Sequence, residues 1–558
     1  MNLPSCTRLW RTCAALGLAS SLTLLLQACA NDTTTLAQSA SRPRLVVLIV
    51  VDGLPQRQVT AYRDQLAPDG LARFLDRGAW FSQAHYGYAF TVTAAGHATM
   101  LSGAYPHRTG IIGNEWRDQQ SGETQYCTGD ASATYIGHAT ALLDGTSPKN
   151  LKAETLGDVL KRVDARSKVI AVSGKDRGAI LPAGKTGTAY MYMSQTGQFA
   201  ASTYSMRQHP EWVEAFNQRR LADAWFKTTW MPLLPEAAYS RSLPDNQPWY
   251  GAGGRLPSTM GTAAARRPDA AFYSQLLRSP FGDALTLDFA RAAIGGEHLG
   301  EDDAPDLLAV SLSGHDYVNH LYSAESRLSH DHLLQVDRLL QQFLRDLDRV
   351  VGPDNYIAVL TADHGFMPAP EASAAAGIES GRIDNAKVLA HLDESLGQRF
   401  GKGRWVSVSA SSLLVNRRLA AQTGVAIDDV AEEARRLLLL QPGFSRAYTR
   451  RELMNDELRD APFFDAMRKS WHPDISGDVQ FILKPRWMFA SGATGTTHGS
   501  PYDYDTHVPI MFYGPRWVRP ARVDTRVEVV DIAPTLARWL AVPAPSASEG
   551  HLLPLAPP

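Results

Sequence analysis

A doubly wound α/β fold, with a mainly parallel sheet and helices on both faces, is what this sequence predicts, and two observations predict it. Unbroken apolar segments alternate along the chain with stretches whose apolar residues recur at three- and four-residue spacing. Strands buried on both faces read as the first kind and amphipathic helices as the second, which together give a sheet covered by helices. Three of the apolar segments also end alike, in Asp or in Asp with His. Open α/β sheets bind ligands beyond the carboxyl ends of their strands, so that shared ending points to one site.

The chain begins outside this pattern. Arg8 and Arg11 form a short basic region, followed at residues 13–26 by an apolar run too short to span a bilayer comfortably. It closes in Leu26-Gln27-Ala28-Cys29, so residues 1–28 read as a secretory signal with a lipoprotein-type cleavage site. A plain signal peptide or an uncleaved anchor is the other reading of the same residues. Residues 29–42 then form a polar tether held to a membrane by a lipid on Cys29. Ala30 rather than Asp after the cysteine resembles signals that direct a periplasmic or cell-surface lipoprotein to the outer membrane of a diderm bacterium. Cys6 and Cys13 leave with the signal and Cys29 is acylated, so Cys127 remains, a buried thiol with no disulfide partner.

The fold proper starts with residues 45–51 (LVVLIVV), which lead into Asp52-Gly53. Residues 168–172 (KVIAV) precede Ser173-Gly174-Lys175-Asp176-Arg177. Residues 306–312 (DLLAVSL) run into Ser313-Gly314-His315-Asp316, and residues 356–361 (YIAVLT) into Ala362-Asp363-His364-Gly365. Residues 328–350 carry the helical spacing. Two regions differ in texture. Residues 186–300 are rich in Trp, Tyr, Pro and Gly, and residues 369–490 open with an Ala/Pro/Glu/Ser-rich stretch before regaining an α+β pattern. Both are expected to be insertions beside the active face, leaving core parts at 43–185, 301–368 and 491–558. With 558 residues, 44% of them apolar and 20% charged, the chain has the composition of a soluble globular enzyme. A formal net charge of −2 excludes a field directed at nucleic acid, so an anionic substrate must be captured locally, by metal or by a few placed cations.

The chemistry-bearing residues sit at the strand ends. Asp316 and His320 are four apart, which puts both on one helix face within reach of one metal. Asp363-His364 follows a strand, where a sharp turn can aim both at a common point, and Asp52 adds a carboxylate at a neighbouring strand end. His498, in Thr496-Thr497-His498-Gly499-Ser500, supplies a late histidine, with His507 as the alternative. Nitrogen and carboxylate donors without thiolate suit zinc in a catalytic role. Phe90-Thr91-Val92-Thr93-Ala94-Ala95-Gly96-His97 reads as the start of a helix, where free N–H groups favour an alkoxide and an incoming phosphate. Thr93 is the nucleophile candidate, although Thr91 or Thr93 could equally be an ordinary helix cap.

This set, Asp52, Thr93, Asp316, His320, Asp363, His364 and His498, resembles the two-zinc site of the alkaline phosphatase superfamily, most closely its nucleotide pyrophosphatase/phosphodiesterase-like branch. The likeness runs from about residue 43 to 545 and includes Asp531-Ile532-Ala533-Pro534-Thr535-Leu536. It implies an alkaline phosphatase-like core with two Zn2+, one held by Asp316, His320 and His498, the other by Asp52, Asp363, His364 and the Thr93 oxygen. It also implies that Asn114, in Gly110-Ile111-Ile112-Gly113-Asn114, contacts phosphate. Lys175 and Arg177 match the Lys-x-Arg pair of the phosphomonoesterase members, which diesterases lack. The expected activity is hydrolysis of small phosphate monoesters through a phosphothreonine. The rivals are a phosphodiesterase or nucleotide pyrophosphatase with the same metals, and a non-catalytic lipid-anchored binding protein. Phe90 departs from the Pro that many relatives carry before the threonine pair, and no sulfatase-type Cys/Ser-x-Pro-x-Arg motif occurs.

Overall fold

Residues 42–455, 458–490 and 492–556 are described by the computed structural model. The signal and tether expected at 1–28 and 29–42, Cys29 included, lie outside the described residues apart from Arg42. Nine strands form the central sheet: β1 Leu45–Val51, β2 Ala79–Phe81, β3 Val169–Ser173, β4 Thr188–Met193, β5 Gln198–Ala200, β6 Asp306–Leu312, β7 Tyr356–Thr361, β8 Ile510–Tyr513 and β9 Ala521–Val523. Their order across the sheet is β9-β2-β8-β7-β1-β6-β3-β4-β5. Every residue of β1, β6 and β7 is buried, which is why these three segments are mostly apolar runs rather than alternating ones.

The middle of the sheet is parallel: β1 pairs with β6 and β7, β6 with β3, and β3 with β4. Its margins are mixed, since β8 runs antiparallel to β7 and β2, and β5 antiparallel to β4. Register decides what happens at the carboxyl edge. Val51 lies opposite Leu312 and Val50 opposite Thr361, so Asp52, Ser313 and Ala362-Asp363 leave their strands nearly level. A one-residue slip would turn each strand's side chains to the other face, and burial on both faces resists it.

Helices α1 Thr93–Ser102, α2 Asp176–Ala183, α3 Pro280–Gly296, α4 Gly314–Tyr322, α5 Arg327–Val350 and α6 Ile532–Trp539 surround the sheet. Both α2 and α3 pack on β3 and β6, and α1 packs on α2. Along α5, Leu333, Val336, Leu340, Phe343, Leu344 and Leu347 are buried at the spacing that defines one helical face. No helix among the described residues is long and apolar enough to cross a membrane.

The expected boundaries of the first insertion do not hold. Residues 188–193 and 198–200 are β4 and β5 of the central sheet, and α3, at the far end of the 186–300 stretch, covers β3 and β6. These strands lie toward the sheet margin and carry Thr, Tyr and Met rather than a Val/Leu/Ile run, so they lack the signature of the buried centre. Residues 369–490 hold a separate four-stranded antiparallel sheet, in the order Val406–Ser409, Ser412–Val415, Val479–Leu483, Phe444–Thr449. Helices Asn385–Phe400 and Ile427–Leu439 back it, with Leu392, Leu396, Trp405 and Val430 in a hydrophobic core of its own.

Candidate active site and metal centre

Four adjacent parallel strands, β7, β1, β6 and β3, deliver the chemistry at one edge. After β1 the chain turns at Gly53, whose φ of +70° suits glycine, and where a Cβ would lie 3.0 Å from Asp316 Oδ1. The Gly53 N–H donates to Asp363 Oδ1 at 3.0 Å, and Asn319 Nδ2 donates to the Gly53 carbonyl at 3.0 Å, so the loops after β1, β6 and β7 are tied together. On α4, Asp316 and His320 share a face, with His320 Nε2 3.4 Å from Asp316 Oδ1. Thr496 N–H donates to the His320 carbonyl and Thr496 O accepts from His320 Nδ1, both at 2.8 Å, which brings the loop bearing His498 against α4.

Two donor groups centre on the histidines. Asp316, His320 and His498 present ligand atoms within 4.8 Å of one another, and Asp52, Asp316 and His364 do the same. His364 Nε2 lies 3.6 Å from Asp52 Oδ1 and 3.4 Å from Asp363 Oδ2, which brings Asp363 beside the second group. The rings of His364 and His498 stack at 3.4 Å between centroids, so the two groups adjoin. Each histidine is aimed by its other nitrogen: Nδ1 of His498 bonds the Thr91 carbonyl at 2.8 Å, and Nδ1 of His364 the Gly365 carbonyl at 2.9 Å. That leaves Nε2 as the ligand atom in every case. His507 is not brought into the cluster; its Nε2 bonds the Ser82 carbonyl at 2.8 Å and its ring stacks on His85.

Buried Asp52 Oδ1, Asp316 Oδ1, Asp363 Oδ2 and His364 Nε2 have no hydrogen-bond partner. Unpaired buried acceptors in one small volume are costly, and a metal cation satisfies all of them at once. The residues present therefore fit a metal, bound by imidazole and carboxylate. Electrostatics agree. Burial and the Asp363 carboxylate push Asp52 well above the ordinary carboxylate range. For Asp316, burial acts the same way but is outweighed by His320, Lys175 and the other imidazoles, which hold it well below. Burial keeps His364 and His498 below the usual imidazole value, hence neutral and ready to ligate.

Thr93 is the first residue of α1, whose ten residues are all buried. The cap position is Val92, and the Ala94 N–H donates to Asn114 Oδ1 at 2.9 Å, so Asn114 performs the capping and the Thr93 hydroxyl is not needed for it. The Thr91 hydroxyl is engaged by the Ser500 carbonyl at 3.0 Å. Lys175, at the N-cap of α2, places Nζ 2.7 Å from Asp52 Oδ2 and 2.5 Å from Asp316 Oδ2, over the Tyr317 ring. Burial opposes its charge, but Asp316 and Asp52 hold the ammonium above the ordinary lysine value. Arg177 is partly covered, with 19% of its side chain exposed, and the Tyr126 and Asp176 groups beside it hold the guanidinium charged against the burial it has.

Two residues outside the sequence-derived set are built into this site. Tyr126 donates to Asp176 Oδ1 at 2.7 Å and accepts from Arg177 at 3.1 Å, fixing the guanidinium. His97 lies 3.3 Å from Asp363 Oδ2 and groups with Asp52 and Asp363, yet its Nδ1 donates to the Thr93 carbonyl at 2.9 Å and its Nε2 meets Ser311 Oγ at 2.8 Å. With both nitrogens used, His97 is a strut between α1 and the sheet. His97 belongs to the Ala-Ala-Gly-His run after Thr93, which is the signal that could have found it; Tyr126 has none. Beside the His320/His498 half lies a cavity of about 340 Å³, walled by Phe90, Asn114 and the segments Val479–Leu483 and Trp487–Phe489.

The chain is similar to known proteins over most of its length. The family model for type I phosphodiesterase / nucleotide pyrophosphatase matches residues 46–507. Alkaline phosphatase PafA of Elizabethkingia meningoseptica is 33% identical over 522 residues, covering 91% of this chain and 93% of that protein. Alkaline phosphatase PhoV of Synechococcus elongatus is 33% identical over 530 residues, covering 92% and 93%. The crystal structure of wild-type PafA superposes with a TM-score of 0.85 at 30% identity, covering 92% of this chain and 98% of that one. A structure of a PafA variant, altered at one threonine, one asparagine, one lysine and one arginine, gives a TM-score of 0.84 with the same identity and coverage. A match over most of the chain makes this protein a member of the type I phosphodiesterase / nucleotide pyrophosphatase family, within the alkaline phosphatase superfamily.

Proposed function

We propose that this chain is a metal-dependent hydrolase of phosphate monoesters that works through a phosphothreonine at Thr93. The observation that carries the reading is the convergence of orphaned ligand atoms with two cations, the buried Lys175 and the partly covered Arg177, at one sheet edge. Two relatives of similar length, PafA and PhoV, are alkaline phosphatases by name. The PafA variant is altered at the four residue types given roles here, Thr, Asn, Lys and Arg.

Asp316, His320 and His498 would hold one zinc ion, and Asp52, Asp363, His364 and the Thr93 oxygen the other. When bound, such a pair supplies positive charge that acidifies a hydroxyl and stabilises a departing oxygen. The chain's own residues do the rest. Thr93 Oγ loses its proton to solvent and attacks phosphorus in line, the bond from phosphorus to the ester oxygen breaks, and the departing alkoxide leaves on the opposite side and takes up a proton from water as the alcohol. Water then attacks the phosphothreonine, releasing phosphate and restoring Thr93. Free N–H groups at the start of α1 face the phosphoryl oxygens, and Asn114, whose Oδ1 is used on Ala94, keeps its NH2 for one of them. Lys175 and Arg177 contact the extra charge of a monoester dianion, Arg177 through two parallel hydrogen bonds.

Protein truncated after Cys29 and loaded with zinc tests this with p-nitrophenyl phosphate against bis-p-nitrophenyl phosphate. A strong monoester preference, lost in Thr93→Ala and on chelation, is the expected result. Diester preference would move the assignment to a phosphodiesterase with the same metals. Export and lipid attachment at Cys29 belong to the same proposal, and Cys29→Ser should abolish labelling by a fatty acid.

A further inference from the structure

The cavity beside the metal centre belongs to one half of it. His320 and His498 line it, together with Asn114, whereas Asp52, Asp363, His364 and Lys175 do not. In an in-line displacement with Thr93 on the Asp52/Asp363/His364 side, the departing oxygen lies on the His320/His498 side. The cavity therefore receives the alcohol half of the ester. His320 is the more open of the two, with about a third of its side chain exposed, whereas His498 keeps 6%.

The chemistry of the wall is distinctive. Phe90 comes from the core, with its ring edge against Gly113 and Gly499, while Phe481, Trp487, Met488 and Phe489 come from the accessory sheet and the strand beside it. The cation in that wall, Lys484, is already paired with Glu379 at 2.9 Å. A leaving group bearing a second phosphate would find no uncommitted lysine or arginine among the lining residues, while a flat apolar group would meet aromatic faces and edges. At about 340 Å³ the space lies at the small end of ligand sites, which run roughly 300–1,000 Å³, so it takes one ring system rather than a polymer.

Resting on the phosphatase reading, we propose that this cavity is a leaving-group subsite that selects phosphate monoesters of ring-bearing, uncharged alcohols, with Phe90 and Phe489 as specificity-determining residues. The accessory region between 369 and 490 thereby acquires a role: it supplies the apolar wall, and the core supplies the chemistry.

2-Phenylethyl phosphate and ethyl phosphate both release an alkyl alcohol, so their intrinsic reactivities nearly cancel in a ratio. The zinc enzyme should favour the phenylethyl ester in kcat/KM by about tenfold or more, in line with what an apolar pocket discriminates. Phe489→Ala, or Phe90→Leu should the first variant fold poorly, should lower that ratio about fivefold. Ethyl phosphate turnover and inhibition by inorganic phosphate should stay within about twofold. A ratio near one in the wild type, or parallel losses on both esters, would overturn the proposal. If neither ester is hydrolysed, the phosphatase reading fails, yet the cavity remains readable through phosphonates. 2-Phenylethylphosphonate should still inhibit or bind more tightly than ethylphosphonate, and equal affinity would dismiss the subsite.

Discussion

Lys175 shows most clearly how one side chain can bind together two roles. Its ammonium touches both Asp52 and Asp316, so it compensates two buried carboxylates as well as facing the proposed phosphate position. Arg177 is separated from it by one residue at the start of α2 and is held by the Tyr126 hydroxyl. Changing both to Ala should cut kcat/KM for p-nitrophenyl phosphate by about a hundredfold or more, the usual scale for lost transition-state contacts. The loss for bis-p-nitrophenyl phosphate should be well under that, because a diester carries one charge fewer. Equal losses on both would mean that the pair serves the site's structure and not monoester selection. At this scale much was legible in advance. Asp316 and His320 are readable because i, i+4 spacing alone puts them on one face, and Asp363-His364 because a strand precedes them. Tyr126 was not, since its partners, Asp176 and Arg177, are 50 and 51 residues away and no local pattern announces them. The choice between His498 and His507 rests on the structure, where His498 lies in the loop against α4 and His507 caps the short helix Asp503–Thr506 with its Nε2 turned to the Ser82 carbonyl.

Among the elements, α1 and the end of β7 set the distance between the proposed nucleophile, Thr93, and the candidate ligands Asp363 and His364. Gly96 permits it: a Cβ there would lie 2.2 Å from the Asp363 carbonyl oxygen, with the Asp363 Cα at 2.8 Å. These are backbone atoms of a residue at the end of a buried strand, so they cannot swing away as a flexible side chain would. Gly96→Ala should gain a little helix propensity and lose more through overpacking, a net cost of about 1–3 kcal/mol. The larger effect is geometric. Pushing α1 back by an ångström moves Thr93 away from Asp363 and His364, and displacements of that size cost about a hundredfold in rate. Wild-type kcat in a folded Gly96→Ala protein would show that the contact does not set the site. The central strands were legible because burial on both faces writes itself as an apolar run, with Leu45–Val51 buried throughout. The marginal strands Thr188–Met193 and Gln198–Ala200 were not, because a short segment with Thr and Gln at its ends looks the same in a sheet margin as in a loop.

Over the whole molecule, the candidate metal ligands would act as staples on a long chain. Their residues lie at 52, 316, 320, 363, 364 and 498, and no unfolded chain gathers those positions at one point. An ion held there binds the folded state and not the unfolded one, so it stabilises folding by mass action, about 4 kcal/mol per ion at a thousand times its dissociation constant. Unfolding entropy grows with chain length, at roughly 2.1 cal/mol/K per residue, so that energy moves the midpoint of a chain this long by only about 4 °C per ion. Without an ion, Asp52 Oδ1, Asp316 Oδ1 and Asp363 Oδ2 stay buried and unpaired, and Lys175 is left to oppose their mutual repulsion. Chelation should therefore lower the calorimetric midpoint by several degrees, and zinc should restore it with a dependence on its free concentration. In Lys175→Ala the same treatment should produce a larger drop, because the remaining counter-charge is gone, whereas the zinc-loaded variant should melt close to the wild type. A midpoint indifferent to chelator in both proteins would mean that the candidate ligands do not hold metal in the folded state. A drop confined to the core would place the accessory sheet, with its separate cluster around Leu392, Trp405 and Val430, outside the metal-linked unit.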